Sequence, residues 1–129
     1  MSSSPKGGVV RIELRRDAGR IGPQSGPWIR KTQIARMLGV PDPHVLAQVV
    51  DRKGEPLAWG LVSAVSSITV RVLGWGAAPP PDDWLARRLA AAFAARDAYG
   101  FERAGTTGYR LVNSEGDGLP GLVVDRYGD

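Results

Sequence analysis

Trp28, Arg30 and Lys31 sit together in Gly26-Pro27-Trp28-Ile29-Arg30-Lys31, an aromatic ring beside two cations. An indole can stack on a nucleobase while neighbouring cations hold phosphates. The ring could equally plug one end of a small barrel, which would leave Arg30 and Lys31 as the contacts. Arg71 lies in Ser67-Ile68-Thr69-Val70-Arg71-Val72-Leu73, on the strand face opposite the apolar residues, and could reach RNA or a nearby carboxylate. Arg11, Arg15, Arg16 and Arg36 complete the candidate RNA-binding set. The first forty residues carry eight cations against Glu13 and Asp17, a surplus of +6 in a chain of net charge +4. The remainder is therefore slightly acidic. A basic front half followed by an acidic rear suggests a polyanion-facing N-terminal domain, or else an arginine-rich solvated face.

Other motifs fall away on spacing. Residues 116–121, Gly-Asp-Gly-Leu-Pro-Gly, match G-x-G-x-x-G. That pattern holds a pyrophosphate only where a helix N-terminus follows directly. Here Leu122-Val123-Val124 follow, which reads as a strand. Asn113, Glu115, Asp117 and Gly118 imitate the start of a calcium loop, but the twelfth position falls on Val124 rather than a carboxylate. An acidic, glycine-rich reversal between two strands fits better, with Pro120 stiffening the return. His44 is the only histidine and reads as a loop-end surface residue. The chain has no cysteine, which removes thiolate metal sites, disulfides and a cysteine nucleophile. No metal site is expected.

The elements that must position these residues are short. Residues 1–7 read as a disordered lead with no apolar signal-peptide core, and no apolar run approaches the roughly 18–20 residues of a membrane span. A cytoplasmic protein without membrane contact is expected. Residues 9–15 alternate as a strand with Val10, Ile12 and Leu14 on one face. Residues 16–27, rich in Gly and Pro, read as a loop. Thr32 could cap a short helix carrying Ile34, Met37 and Leu38, stopped by Gly39 and Pro41. Strands are expected over residues 45–50, 56–62 and 67–73, with a turn at 51–54. Short strands, glycine turns and one short helix suggest a small barrel over residues 8–76.

Three consecutive prolines mark residues 77–81 as a stiff linker. Beyond it, Asp82 or Asp83 caps one long helix over residues 83–99, with Leu85, Leu89 and Phe93 as its apolar stripe, Ala92 and Tyr99 widening it, and Arg87, Arg88 and Arg96 off it. Gly100 ends the helix. Strands are expected at 109–112 and 119–127. The fold class is α+β: a small barrel, then a small α/β unit of a long helix and β-hairpin strands over residues 82–129. Gly128-Asp129 is a turn signal where a strand ought to double back, so the chain is expected to be the front part of something longer.

At Tyr109 to Asp129 the sequence reads YRLVNSEGDGLPGLVVDRYGD. It closely resembles the hallmark of PUA-domain-containing, SAM-dependent methyltransferases that modify carbon five of a cytosine in large-subunit ribosomal RNA. That family's segment runs approximately Y-R-L-V-N-G-E-x-D-G-L-P-G-L-x-V-D-x-Y-G-D, so Ser114 stands where glycine is usual. The upstream order is similar too: a basic strand, Pro27-Trp28, a strand pair ending in Gly60, then S-x-I-x-V-R-V-L at residues 66–73 and an Arg/Ala-rich helix. Departures fall at Ser25, Gly26 and Arg30, where the family commonly has G-H-P-W-x-F, and at Ser63-Ala64, where it often has N-P.

The resemblance implies a three-part protein: an RNA-binding PUA barrel, a short α/β connecting domain, and a methyltransferase domain holding SAM and a catalytic cysteine. This chain matches the first part and most of the second. It is then expected to bind and position ribosomal RNA, to hold no cofactor itself, and to be non-catalytic as given. The alternative is a stand-alone PUA-type module binding RNA or a protein partner. Self-association through the exposed last strand is a further expectation.

Overall fold

The computed structural model describes residues 9–42 and 45–128; the expected lead at 1–7, His44 and Asp129 lie outside the described residues. The chain forms two compact units, residues 1–80 and 81–129. The architecture is mixed α+β: a curled β-sheet half-barrel in the first unit, one helix and a small second sheet in the other.

The first unit has six strands: β1 (Arg11–Leu14), β2 (Trp28–Arg30), β3 (Ile34–Leu38), β4 (Ala47–Val50), β5 (Pro56–Val62) and β6 (Ile68–Trp75). They form one sheet in the order β2-β6-β5-β4-β1-β3. All pairs are antiparallel except β1 with β4. The edge strands β2 and β3 are consecutive in the chain, joined by a single 3-10 turn, Lys31–Gln33. Six strands laid flat would put those edges about 24 Å apart, at roughly 4.8 Å per spacing. The tether from Arg30 to Ile34 spans at most about 14 Å. The sheet must therefore curl back on itself. Backbone bonds pin the seam: Arg15 N–H to the Gln33 carbonyl and Lys31 N–H to the Ser67 carbonyl, each 2.8 Å.

Alternation fills the interior. Val10, Ile12, Leu14, Ile29, Ala47, Val49, Ala58, Val70 and Val72 form one buried cluster. Burying a side chain such as Ile12 or Ile29 contributes about 2–3 kcal/mol. Gly60 is dictated by close approach: a Cβ there would stand 2.4 Å from the Arg71 carbonyl oxygen.

The short helix expected from Thr32 does not form. Residues 34–38 are strand β3, paired with β1. The register runs Glu13 to Arg36 and Leu14 to Ile34, which skips Ala35. This bulge turns both Ile34 and Met37 toward the core and so gives a strand the three-residue spacing of a helix.

The second unit has α1 (Trp84–Tyr99) over a hairpin of β7 (Gly108–Asn113) and β8 (Val123–Tyr127). Gly100 ends α1 in the left-handed region at φ 70°. Asp83 is the N-cap by position, but its carboxylate accepts from Arg87 Nε at 2.8 Å rather than from the backbone. The core is Ala92, Val112 and Leu119, with Trp84, Leu89, Leu111, Leu122 and Val124 packed on it. The expected stripe is thus displaced: Leu85 and Phe93 are 45% and 44% exposed. Arg88 and Arg96, expected off the stripe, flank buried Ala92 on the inward face. The small alanine allows close approach, and the two long side chains reach into the 113–118 turn.

Candidate nucleic-acid interface

Ile29 is fully buried, and strand alternation then turns Trp28 and Arg30 outward. Trp28 is 44% exposed, so the barrel is plugged by Ile29 rather than by the indole. Trp28 faces Arg71 across the β2–β6 pair, and Arg71 faces Leu61 on its other side. Buried Val70 and Val72 flank Arg71 and fix it on the same outer side as Trp28. Among the described residues Arg71 makes no ion pair, and its Nε is the one buried side-chain nitrogen or oxygen without a hydrogen-bond partner. An unsatisfied buried donor costs about 1–3 kcal/mol. The pair thus sets a half-buried cation beside an aromatic face on the outer side of the sheet.

A groove of about 260 Å³ adjoins this pair, lined by Arg20, Ser25, Pro27, Trp28, Arg30 and Gln33 among others. Gln33 holds it together: its Oε1 accepts from Arg30 N–H at 2.8 Å and its Nε2 donates to the Ala18 carbonyl at 3.0 Å. The long 16–27 loop is thereby tied to the seam. Lys31 is exposed at the seam turn. Arg20 was not among the residues singled out by sequence; its place beside Trp28 depends on the path of the loop.

The remaining candidates are dispersed. Arg11 is exposed on β1, opposite Gln48. Arg36 pairs with Glu13 directly across β1–β3, with Nε to Oε2 at 2.5 Å and Nη2 to Oε1 at 3.1 Å. The guanidinium beside Glu13 holds its carboxyl below the usual range. Arg36 is therefore committed within the protein. Arg15 is paired with Asp17 at 3.1 Å, and with Arg16 it lines clefts at the end of the half-barrel.

The hallmark segment of the second unit is built inward. Arg96 grips Asp117 through Nη1 to Oδ1 at 3.0 Å and Nη2 to Oδ2 at 2.7 Å, and its Nε donates to the Arg110 carbonyl. Both side chains are nearly buried, at 13% and 12% exposed. Asp117 also accepts the Asn113 N–H at 2.6 Å. These two bonds outweigh desolvation and hold its carboxyl below the ordinary value. Arg88 Nη1 donates to the Gly118 carbonyl at 2.6 Å while its guanidinium lies over Trp84.

The amides of Asn113, Gly118, Leu119, Gly121 and Leu122 are all consumed within the turn, and a strand follows it. The G-x-G-x-x-G stretch therefore does not fit a dinucleotide, nor the nucleoside part of SAM. Of its glycines, Gly118 and Gly121 have positive φ, while the other left-handed residue of the turn is Ser114 at φ 47°. Among the described residues no group of three His, Cys, Asp or Glu is placed to hold a metal, and no helix is long and apolar enough to cross a membrane.

The chain is similar to known proteins over most of its length. A large-subunit ribosomal RNA methyltransferase of Deinococcus radiodurans is 40% identical over 97% of this chain and 32% of the relative. Ribosomal RNA large subunit methyltransferase I of Shewanella amazonensis is 38% identical over 92% of the chain and 30% of the relative. The chain thus spans about a third of the length of the curated relatives it matches. A solved structure described as a SAM-dependent methyltransferase of Streptococcus mutans superposes with TM-score 0.67 at 15% identity, covering 92% of this chain and 30% of that one, and shares the fold. Residues 6–75, the stretch that holds the curled sheet, the Trp28–Arg71 pair and the basic groove, match the family of the PUA-like domain, to which this chain belongs.

Proposed function

We propose that this chain is the RNA-binding N-terminal part of a SAM-dependent ribosomal RNA cytosine-5 methyltransferase, and that it acts by positioning ribosomal RNA. The observation that carries the reading is the outer face of the half-barrel, where Trp28 opposes Arg71, beside Arg20, Arg30 and Lys31. Similarity to large-subunit ribosomal RNA methyltransferases supports the choice of RNA. Methyl transfer to carbon five draws on SAM and a thiolate. This chain has no cysteine, and its glycine-rich turn does not fit SAM. Its contribution is binding and orientation, which by themselves lower a barrier by fixing geometry. A cytoplasmic setting follows from that role.

The test is salt-dependent binding of a dye-labelled ribosomal RNA hairpin. Replacing Arg30 and Lys31 together by alanine should weaken binding and flatten the plot of log K against log salt by about 1–2. No detectable binding of the unaltered chain at low salt overturns the reading.

A second copy of the chain is a further proposed partner. β8 belongs to a two-stranded sheet, so one of its edges is unpaired, and Val123 and Tyr127 on it are exposed. Sedimentation should then show a concentration-dependent dimer; a strict monomer removes this partner.

A further inference from the structure

β1 and β4 are the one parallel pair in the sheet, with Arg11 beside Gln48, Ile12 beside Val49 and Glu13 beside Val50. Parallel strands end on the same side. Arg15 and Arg16 follow the end of β1, and Arg52 and Lys53 follow the end of β4, so the two pairs meet at one end of the half-barrel although 37 positions separate them in the chain. A cleft of about 470 Å³ is lined by all four cations, and a neighbouring one by Arg15, Arg16 and Arg52.

Of the carboxylates near this end three are engaged, and Glu55 at the end of the turn is exposed. Glu13 is held by Arg36. Asp17 pairs with Arg15. Asp51 Oδ1 accepts the backbone N–H groups of Lys53 and Glu55, at 2.8 and 2.9 Å, and so shapes the turn. Arg16, Arg52 and Lys53 have no side-chain partner among the described residues. Four cations and one carboxylate, Asp51, line the larger cleft, an excess of positive charge that favours an entering anion. The turn geometry is fixed by Asp51, so the cations are presented on a preformed support rather than a loose tail.

We propose that this end of the half-barrel is a phosphate-binding site for the sugar–phosphate backbone of a folded RNA, separate from the Trp28 groove. The site rests on the RNA-binding reading and deepens it: the Trp28 face contacts bases and nearby phosphates, and this end grips backbone further along the same RNA. Two separated grips fix the orientation of a folded RNA where one would leave it free to swivel.

The test uses the whole chain and a dye-labelled RNA hairpin titrated over a range of salt. Arg52→Ala with Lys53→Ala should weaken binding about tenfold or more and flatten the salt slope by about 1–2. Both residues lie in an exposed turn whose backbone is held by Asp51, so the fold is retained. Arg87→Ala removes one exposed cation from the other unit and should leave the slope unchanged. If Arg30→Ala with Lys31→Ala weakens binding but the Arg52/Lys53 variant matches the unaltered chain in affinity and slope, this site is overturned and the RNA-binding reading stands. If the unaltered chain binds no RNA, both fall. If inorganic tripolyphosphate displaces the hairpin from the unaltered chain far below equal phosphate concentration, and does not from the Arg52/Lys53 variant, the site belongs to a free polyphosphate and the RNA backbone assignment is overturned.

Discussion

Trp28 of β2 stands directly opposite Arg71 of β6, both on the outer side of the half-barrel, and Arg71 Nε is buried there without a partner in the protein. The pair joins an aromatic face to a cation. Trp28→Ala should weaken hairpin RNA binding by about 10- to 100-fold, the range of one lost base stack. Trp28→Phe should recover much of that loss. Neither change should lower the thermal midpoint greatly, because Ile29 supplies the buried anchor of β2. Equal RNA affinity in Trp28→Ala and the unaltered chain would exclude stacking.

Gly60 sets where that pair sits. A Cβ at this position meets the Arg71 carbonyl at 2.4 Å, and backbone cannot swing aside as a side chain can. Gly60→Ala should destabilise the first unit by about 2–3 kcal/mol and also reduce RNA affinity by shifting Arg71. Urea unfolding checks the first effect and anisotropy titration at a permissive temperature the second.

The Arg96–Asp117 clasp holds the second unit. Asp117→Ala leaves a nearly buried guanidinium unpaired and frees the Asn113 amide, a cost of about 2–3 kcal/mol. Asp117→Asn should lose most of the same stability, since it keeps the shape but not the charge. Amide exchange should accelerate in β7, β8 and the 113–118 turn and stay unchanged in the half-barrel. A uniform change over both units would reject this local role.

Acid should loosen both units at a similar pH. Glu13, Asp117 and Asp125 are each held below their ordinary values by hydrogen bonds from Arg36, Arg96 and Arg110 respectively. A carboxyl depressed in the folded state contributes stability that is fully present above its unfolded value, about 4. That contribution is lost as pH falls through the folded value. The thermal midpoint should therefore be flat near neutrality and drop below about pH 4. In Asp117→Asn the drop should be smaller for the second unit. An unchanged acid limb in that variant would count against the assignment.

Ser114 occupies the left-handed region at φ 47°, where glycine is unstrained. Its hydroxyl compensates by accepting the Gly121 N–H at 3.0 Å and donating to Glu115 Oε2 at 2.5 Å. Ser114→Ala keeps the strain and loses the bonds, so it should cost about 1–2 kcal/mol. Ser114→Gly trades one for the other and should be nearly neutral. Chemical denaturation giving the reverse order would refute this balance.

Much of the fold could be read from residue order. Val10, Ile12 and Leu14 alternate because β1 has one wet and one dry face, and the strands at 56–62 and near 68–75 are legible for the same reason. Trp28, Arg30 and Arg71 could be singled out because an aromatic ring and cations on a polar strand face are not needed by the core. The short helix at Thr32 was misread because a bulge at Ala35 gives β3 the spacing of a helix. The stripe of α1 differs from the expected one because its inward face includes Arg88 and Arg96, whose charged ends are satisfied by groups between fourteen and thirty residues further along.

The sequence by itself determined the strand alternation, the end of α1 at Gly100, the basic character of the front half and the family likeness of its closing segment, since each depends on residues close together in the chain. Tertiary structure alone decided three things. The Lys31–Gln33 tether forces the sheet to curl. The packing of α1 commits Arg88 and Arg96 to the 113–118 turn. The parallel pairing of β1 with β4 brings Arg15 and Arg16 to the same end as Arg52 and Lys53. Each of these is a contact between segments far apart in sequence, and strand order and register, which no local pattern encodes, settle which distant residues meet.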